Sequence, residues 1–357
     1  MVDTLVSGAS ASRRVGSTPI SGTRKGSAEM LDLFSFFVSL QCLGLIRHSM
    51  KIVFLDAATM GDVLFTPIAA KGELVCYDSS TPQEALERVA DCDVLIVNKV
   101  KVTPELIDAA KNLKLICESA TGINNIDVEY AASKGIPVRN VIGYSTSTVV
   151  QATFMHILSL VGHASYFDQC VKSGRYSSLG MFTDVSVNWW ELAGKTIGII
   201  GMGNIGSRVA KVAEAFGMKV CYYSTSGTSH CNEYPSLSLE QLLRESDIVS
   251  VHAPLNERTN ALIGKKELAM MKPTAYIVNM GRGGIVVEED LAEAVDAGVI
   301  AGAGLDVFAV EPLPSDHCFL KMSHPERMSL APHVAWASEE ARERLVAMVA
   351  ENINVIA

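Results

Sequence analysis

The sequence has no surplus of basic charge: 30 Lys and Arg stand against 39 Asp and Glu, a formal net charge of −9. Nucleic-acid binding rests on Lys and Arg neutralising phosphates, so this balance argues against a nucleic-acid partner. Paired cysteines are also lacking. Eight are scattered at positions 42, 76, 92, 117, 170, 221, 231 and 318 with no CxxC pair. That suggests neither a zinc site nor a disulfide framework, and reads as reduced thiols in a cytoplasmic protein without a metal. Charged residues are few (19%) and hydrophobic ones many (48%), which excludes a largely disordered chain. The apolar run Met30–Ile46 spans 17 residues and contains Asp32. A membrane span needs roughly 20 apolar residues, so no membrane partner is expected. A length of 357 residues exceeds one ordinary core, and two domains are the expectation.

Residues 1–29 are rich in Ser, Gly and Thr and show no periodicity, and no A-x-A-like cleavage site follows the apolar run. At Met50 the character changes, because Lys51–Asp56 (KIVFLD) reads as a buried strand. Residues 1–49 are therefore read as an extension, disordered or the product of a mistaken upstream start.

Beyond Met50 short apolar strands alternate with helical patterns, the signature of parallel α/β architecture. One group of strands is expected near 51–56, 73–77, 94–97, 115–119 and 137–139. A long apolar helix, carrying His156 and His163, runs from about Ser147 past Leu160. A second group falls near 196–200, 219–223, 248–251, 275–279, 302–306 and 328–331, the strand count of a doubly wound dinucleotide-binding domain. The closing helix, Ser338–Ile353, lies beyond the sixth of these strands and is free to return to the first group. The expected architecture is two doubly wound parallel-sheet domains. A Rossmann coenzyme domain (148–332) is inserted into a discontinuous flavodoxin-like substrate domain (50–147 and 333–357).

Thr196–Ile200 (TIGII) is a strand, and Gly201-Met202-Gly203-Asn204-Ile205-Gly206 follows it directly. Val209, Val212, Ala213 and Phe216 then mark one face of a helix. Strand, GxGxxG and helix in that order form a dinucleotide fingerprint. Gly201 permits the tight turn, Gly203 lets a pyrophosphate approach the backbone, and Gly206 allows helix and strand to pack closely. The acidic residue expected at the end of the second strand is missing, and Ser224 stands there. Its absence removes repulsion against a 2′-phosphate, yet no Arg or Lys follows until Arg244. NAD(H) is favoured, with NADP(H) possible.

Arg282 follows an apolar strand among glycines, where its guanidinium can fork onto a substrate carboxylate. His333 follows another strand and is the candidate proton donor to a carbonyl oxygen as hydride arrives. Glu311 lies beyond the GLDVF segment and is the candidate partner of that imidazole, since a nearby carboxylate favours the imidazolium. All three follow the C-terminal ends of strands, where open α/β sheets bind ligands. Trp189 and Trp190 read as packing residues.

The segments that carry these residues are Tyr276–Val286 (YIVNMGRGGIV), Gly304–Pro312 (GLDVFAVEP) and Ala331–Ser338 (APHVAWAS). With GMGNIG, with Ala120–Asp127 (ATGINNID) and with Gly143-Tyr144-Ser145-Thr146, they resemble the D-isomer-specific 2-hydroxyacid dehydrogenase family over nearly all of residues 50–357. The resemblance implies the same assignment, with Arg282 on substrate and Glu311–His333 as the acid/base pair. It places coenzyme contacts on the glycine loop (Gly201, Gly203, Asn204, Ile205, Gly206) and on Ser224. Further coenzyme contacts are implied for Ala253 and Pro254, next to His252, for Met280 and Gly281, and for Asp306, whose alternative reading is a structural cap. Thr121 and Gly122 are implied as backbone contacts to the substrate carboxylate, with Asn98 and Lys99 weaker candidates on the facing loop.

Within the family, formate dehydrogenases carry Gln as the partner of the catalytic His, so Glu311 argues against that branch. Phosphite dehydrogenases have a Lys where this chain has Thr121. Trp336, in the segment that carries His333, resembles glycerate dehydrogenases and hydroxypyruvate reductases. Hydroxypyruvate/D-glycerate ranks first as substrate, then glyoxylate or other small 2-ketoacids. A reading from another class is a nucleotide-sensing corepressor of the C-terminal-binding type, which shares the fold and the three polar residues. A homodimer through the coenzyme domain is expected. The chain ends at Ala357, earlier than is usual in the family.

Overall fold

The computed structural model describes residues 49–228 and 231–356. The expectations for the segment before Ser49 fall outside the described residues.

From Met50 the chain builds two sheets in which every strand pairing is parallel. The first contains β1 (Lys51–Phe54), β2 (Glu73–Cys76), β3 (Val94–Val97), β4 (Leu115–Glu118) and β5 (Val138–Arg139), ordered β2-β1-β3-β4-β5. This is the flavodoxin-like order. The second contains β6 (Thr196–Ile200), β7 (Lys219–Tyr223), β8 (Ile248–Val251), β9 (Tyr276–Asn279), β10 (Gly302–Leu305) and β11 (Met328–Leu330), ordered β7-β6-β8-β9-β10-β11.

Both sheets are covered on both faces, which is why their strands read as continuous apolar runs. Around β1, Ile52 and Phe54 enter one apolar cluster, while Val53 and Leu55 enter another across the sheet. In the second sheet Ile197 and Ile199 pack on one side and Ile200 on the other. Outside β7 a further strand is reduced to one parallel bridge, Tyr222 with Ser236. Pro235, next to it, has no N–H to extend a ladder. Counting that bridge as the third strand gives the dinucleotide-binding order 3-2-1-4-5-6 from the bridge to β10, with β11 as a seventh strand beyond it.

The long helix is Thr146–Val161, and Val149, Val150, Phe154, Ile157 and Leu160 pack it on the second sheet. Its extent is the expected one, but His163 is not part of it. Gly162 ends it, and His163 lies beyond, at φ 47°, capping the next helix, Ala164–Lys172. His156 remains on the long helix, 1% exposed, with its Nδ1 2.8 Å from Ser329 Oγ. The closing helix Glu339–Ile353 starts at Ser338, whose hydroxyl accepts the Ala341 N–H. Its Leu345, Val346, Val349 and Ile353 join the first sheet's core with Ile52 and Ile96. Each such aliphatic burial contributes about 1.5–3 kcal/mol, enough to bind the returning segment to that sheet.

Candidate active site

The glycine loop has the geometry its three glycines require. Gly201 sits at φ +94°, and a Cβ there would lie 2.9 Å from Ala253 N. A Cβ on Gly206 would lie 2.2 Å from Gly201 O, so helix and strand approach at a distance that only glycine permits. Gly203 is different: nothing lies within 4 Å of a Cβ built on it. That open space adjoins the start of the helix Asn204–Ala215, where the N–H groups of Asn204 and Ile205 belong to the first turn and lack intrahelical partners. Free N–H groups, the positive end of the helix dipole and an open cradle fit a pyrophosphate. Ala253 binds this region together, because its carbonyl would also lie 2.7 Å from a Cβ on Gly281. Pro254 follows it on the exposed side. Burial of the neighbouring His252 ring pushes its pKa down to about 3, and its Nε2 lies 2.8 Å from Ser250 Oγ.

At the end of β7, Ser224 Oγ donates to Thr228 O at 2.6 Å. The same turn is met by a cation that local sequence did not reveal. Arg258, on the loop after β8, donates from Nη1 to Ser226 O at 2.7 Å. The absence of Arg or Lys between Ser224 and Arg244 therefore does not mean that the turn lacks a positive charge.

The strand ends of both sheets line one cleft of about 430 Å³. From the second sheet it receives Met280, Arg282, Asp306, Glu311 and His333; from the first, Asn98, Lys99, Thr121 and Gly122. Arg282 is held by an arrangement of which only the glycines were legible. The buried Asn279 side chain accepts from Gly281 N at 3.0 Å and donates to Arg282 O at 2.9 Å. Arg282 Nη1 donates to Gly281 O at 2.8 Å, and Nη2 is the atom a Cβ on Gly122 would meet at 2.8 Å. Gly122 thus lies directly against the guanidinium from the opposite sheet. Gly283 packs against the Phe308 carbonyl carbon, which would lie 2.0 Å from its Cβ.

His333 Nδ1 lies 2.7 Å from Glu311 Oε2, and both side chains are partly exposed. Glu311 Oε1 accepts the Phe308 N–H at 3.0 Å. Burial pushes the Glu311 carboxyl up, but the hydrogen bond from His333, the Phe308 N–H and the Lys99 charge outweigh it, so its pKa falls below the ordinary value. Asp306 is 2% exposed and uses both oxygens on the backbone after His333, accepting Val334 N at 2.8 Å and Ala335 N at 2.9 Å. It acts as a cap while facing the cleft. Burial raises its pKa against those two N–H groups.

On the first sheet the side chains of Thr121 and Asn98 turn to the protein. Thr121 Oγ1 donates to Val141 O at 2.9 Å, and Asn98 Nδ2 to Thr59 Oγ1 at 2.9 Å. Asp56, read from sequence only as a strand end, accepts the N–H groups of Asn98, Lys99 and Val100 and fixes their loop. Trp190 packs beside Tyr276, but Trp189 is 60% exposed. Among the described residues no cluster of metal-ligating side chains occurs, and no helix is long and apolar enough to cross a membrane.

A parallel sheet with a glycine loop at its first strand, facing a cleft that holds Arg, Glu and His, defines a nicotinamide-dependent oxidoreductase. Residues 154–335 match the family model of the D-isomer specific 2-hydroxyacid dehydrogenase NAD binding domain. A hydroxypyruvate reductase of Blautia hydrogenotrophica is 34% identical over 311 residues, covering 85% of this chain and 96% of the relative. A glyoxylate reductase of Aeropyrum pernix is 41% identical over 284 residues, covering 78% and 83%. The crystal structure of a D-lactate dehydrogenase from Aquifex aeolicus, complexed with NAD and lactic acid, is 28% identical and superposes with a TM-score of 0.74 over 85% of this chain and 94% of that one. The chain belongs to the D-isomer-specific 2-hydroxyacid dehydrogenase family.

Proposed function

We propose that the protein reduces hydroxypyruvate to D-glycerate, with glyoxylate as the next substrate in rank. The observation that carries this reading is the convergence of Arg282, with Gly122 beside its Nη2, and the Glu311–His333 pair on one cleft. Arg282 and the backbone of the Thr121–Gly122 loop hold the substrate carboxylate. Glu311 occupies His333 Nδ1, which leaves Nε2 as the atom that delivers a proton to the carbonyl oxygen. The ionised Glu311 stabilises the imidazolium before transfer. The bound nicotinamide coenzyme supplies the hydride. Tyr144 and Trp336, edge to face at 6.4 Å, line the cleft and favour a short substrate side chain.

In this reading residues 50–147 and 333–357 carry substrate and residues 148–332 carry coenzyme. Ser224 neither repels a 2′-phosphate nor grips a ribose diol as a carboxylate does, and Arg258 supplies a nearby cation. We therefore read the enzyme as accepting NADPH as well as NADH. Exposed Met155, Leu158, Val171, Met181, Phe182 and Val185 follow one another along consecutive segments before β6 and support a homodimer through this half. The buried, unpaired thiols of Cys92, Cys117, Cys170 and Cys221 fit a reducing compartment such as the cytoplasm.

The test is a panel of hydroxypyruvate, glyoxylate, pyruvate and 3-phosphohydroxypyruvate, each with NADH and NADPH, with the configuration of the product determined. Highest kcat/KM for hydroxypyruvate with D-glycerate as product supports the assignment. A preference for another 2-ketoacid overturns the substrate.

A further inference from the structure

Glu118 closes β4 immediately before the substrate-side loop and is fully buried, 0% exposed. Its Oε2 accepts from Asn125 Nδ2 at 2.9 Å, while its Oε1 has no hydrogen-bond partner. The same Asn125 amide donates to Val100 O at 3.0 Å, and Asn125 O accepts the Val102 N–H at 2.8 Å. Asn125 thereby ties the Thr121–Gly122 loop to the Asn98–Val100 loop, and it lines the cleft. The carboxyl that holds Asn125 is thus a buried brace under both substrate-side loops.

A buried carboxyl with one unpartnered oxygen is costly as an ion and tolerable as an acid. The charged and titratable groups around it do not neutralise an ion there. Asp56, two residues past β1, adds negative charge; Lys99, after β3, opposes it but its residue is exposed; Tyr144, ahead of the long helix, is a neutral phenol. Burial, reinforced by Asp56, raises the Glu118 pKa to about 8 against the Asn125 amide and Lys99. Ionisation would place a negative charge beneath the loop that, with Arg282, receives an anionic substrate.

We propose that Glu118 is a positioning residue that keeps its proton while the two loops are set for substrate, and that losing this proton weakens binding of the 2-ketoacid carboxylate and leaves the proton-transfer step unaltered. This rests on the functional reading above, in which the Thr121–Gly122 loop and Arg282 hold that carboxylate. Glu118 touches neither substrate nor coenzyme in this account and acts through Asn125 and through its charge.

The experiment is kcat and KM for hydroxypyruvate from pH 6.5 to 9.5 in the wild type, Glu118→Gln and Glu118→Ala. When binding requires one bound proton, KM rises about tenfold per pH unit above the titration midpoint. The wild-type KM is therefore expected to rise about tenfold between pH 7 and pH 9 through this group. Glu118→Gln, an uncharged carboxamide at every pH, loses that rise and keeps the wild-type kcat profile. Glu118→Ala loses the brace and has a raised KM even at pH 7. A second measurement does not require a substitution at position 118. Oxamate binding to the His333→Ala enzyme with NADH, followed calorimetrically at pH 9 in buffers of different ionisation enthalpy, takes up about one proton. Turnover with KM profiles that superimpose for wild type and Glu118→Gln, or oxamate binding without proton uptake, overturns the role of Glu118 alone. No turnover of any 2-ketoacid overturns the functional reading instead.

Discussion

His333 meets Glu311 across 2.7 Å from a backbone held at φ +53°, a conformation that few non-glycine residues adopt. The left-handed region costs roughly 1–2 kcal/mol for a residue with a Cβ, so other contacts must hold it. Asp306 does so by accepting the next two N–H groups, of Val334 and Ala335. The ring is thereby aimed by the backbone on one side and by Glu311 on the other.

The Glu311 carboxyl titrates below the ordinary range, so it is ionised across the working pH and lends its charge to the imidazole. Glu311→Gln keeps the size and removes that charge. The kcat for ketoacid reduction is expected to fall about tenfold or more while coenzyme binding stays unchanged. An unaltered kcat in Glu311→Gln would show that Glu311 is not the effective partner of His333.

Coenzyme selection is expected to depend on Arg258. Hydrogen bonds to charged groups are worth about 1.5–3 kcal/mol, so Arg258→Ala should weaken NADPH binding by roughly 10–100-fold and NADH binding little. Ser224→Asp should also disfavour NADPH, through repulsion of the 2′-phosphate. Fluorescence titration of both coenzymes decides the matter. Equal losses for the two coenzymes in Arg258→Ala would assign Arg258 to the fold of the turn.

A methyl group at position 122 would enter the space of the Arg282 guanidinium, 2.8 Å from Nη2. Gly122→Ala is expected to raise KM for hydroxypyruvate at least about tenfold, as loss of one charge-assisted contact implies. The coenzyme dissociation constant should not change. An unaltered KM would remove the Gly122 loop from substrate binding.

Glu118 also makes a prediction about stability. Its folded pKa of about 8 lies above the roughly 4.3 of an unfolded glutamate, so the folded state binds the extra proton. Its contribution is fully present below about pH 4.3 and is lost as pH rises through about 8. The thermal midpoint of the wild type should therefore fall relative to Glu118→Gln across that window. A difference between the two proteins that does not vary with pH would contradict a buried, protonated Glu118.

The two-sheet architecture was legible because buried parallel strands are continuous apolar runs, and the coenzyme loop because GxGxxG stood between a strand and a helix. Arg282, Glu311 and His333 were legible as polar residues just past strand ends. What escaped depends on contacts between segments far apart in the chain. Arg258 reaches Ser226 only because the loop after β8 passes the end of β7. Asn279 looks like an ordinary last residue of a strand, yet it clamps the turn that carries Arg282. Glu118 closes an otherwise apolar strand, and no periodicity shows that its carboxyl is sealed beneath a loop. His163 was misplaced on the long helix because the apolar pattern was carried past Gly162, which ends it.

The most direct measurement is the oxidation of reduced coenzyme by hydroxypyruvate in the wild type and in His333→Ala, with coenzyme binding measured alongside. The wild type should turn over and release D-glycerate. His333→Ala should bind coenzyme equally well and lose about 10²–10⁴-fold in kcat, the usual contribution of a general acid. Undiminished turnover in His333→Ala would contradict the assignment of the Glu311–His333 pair as the proton-delivering centre.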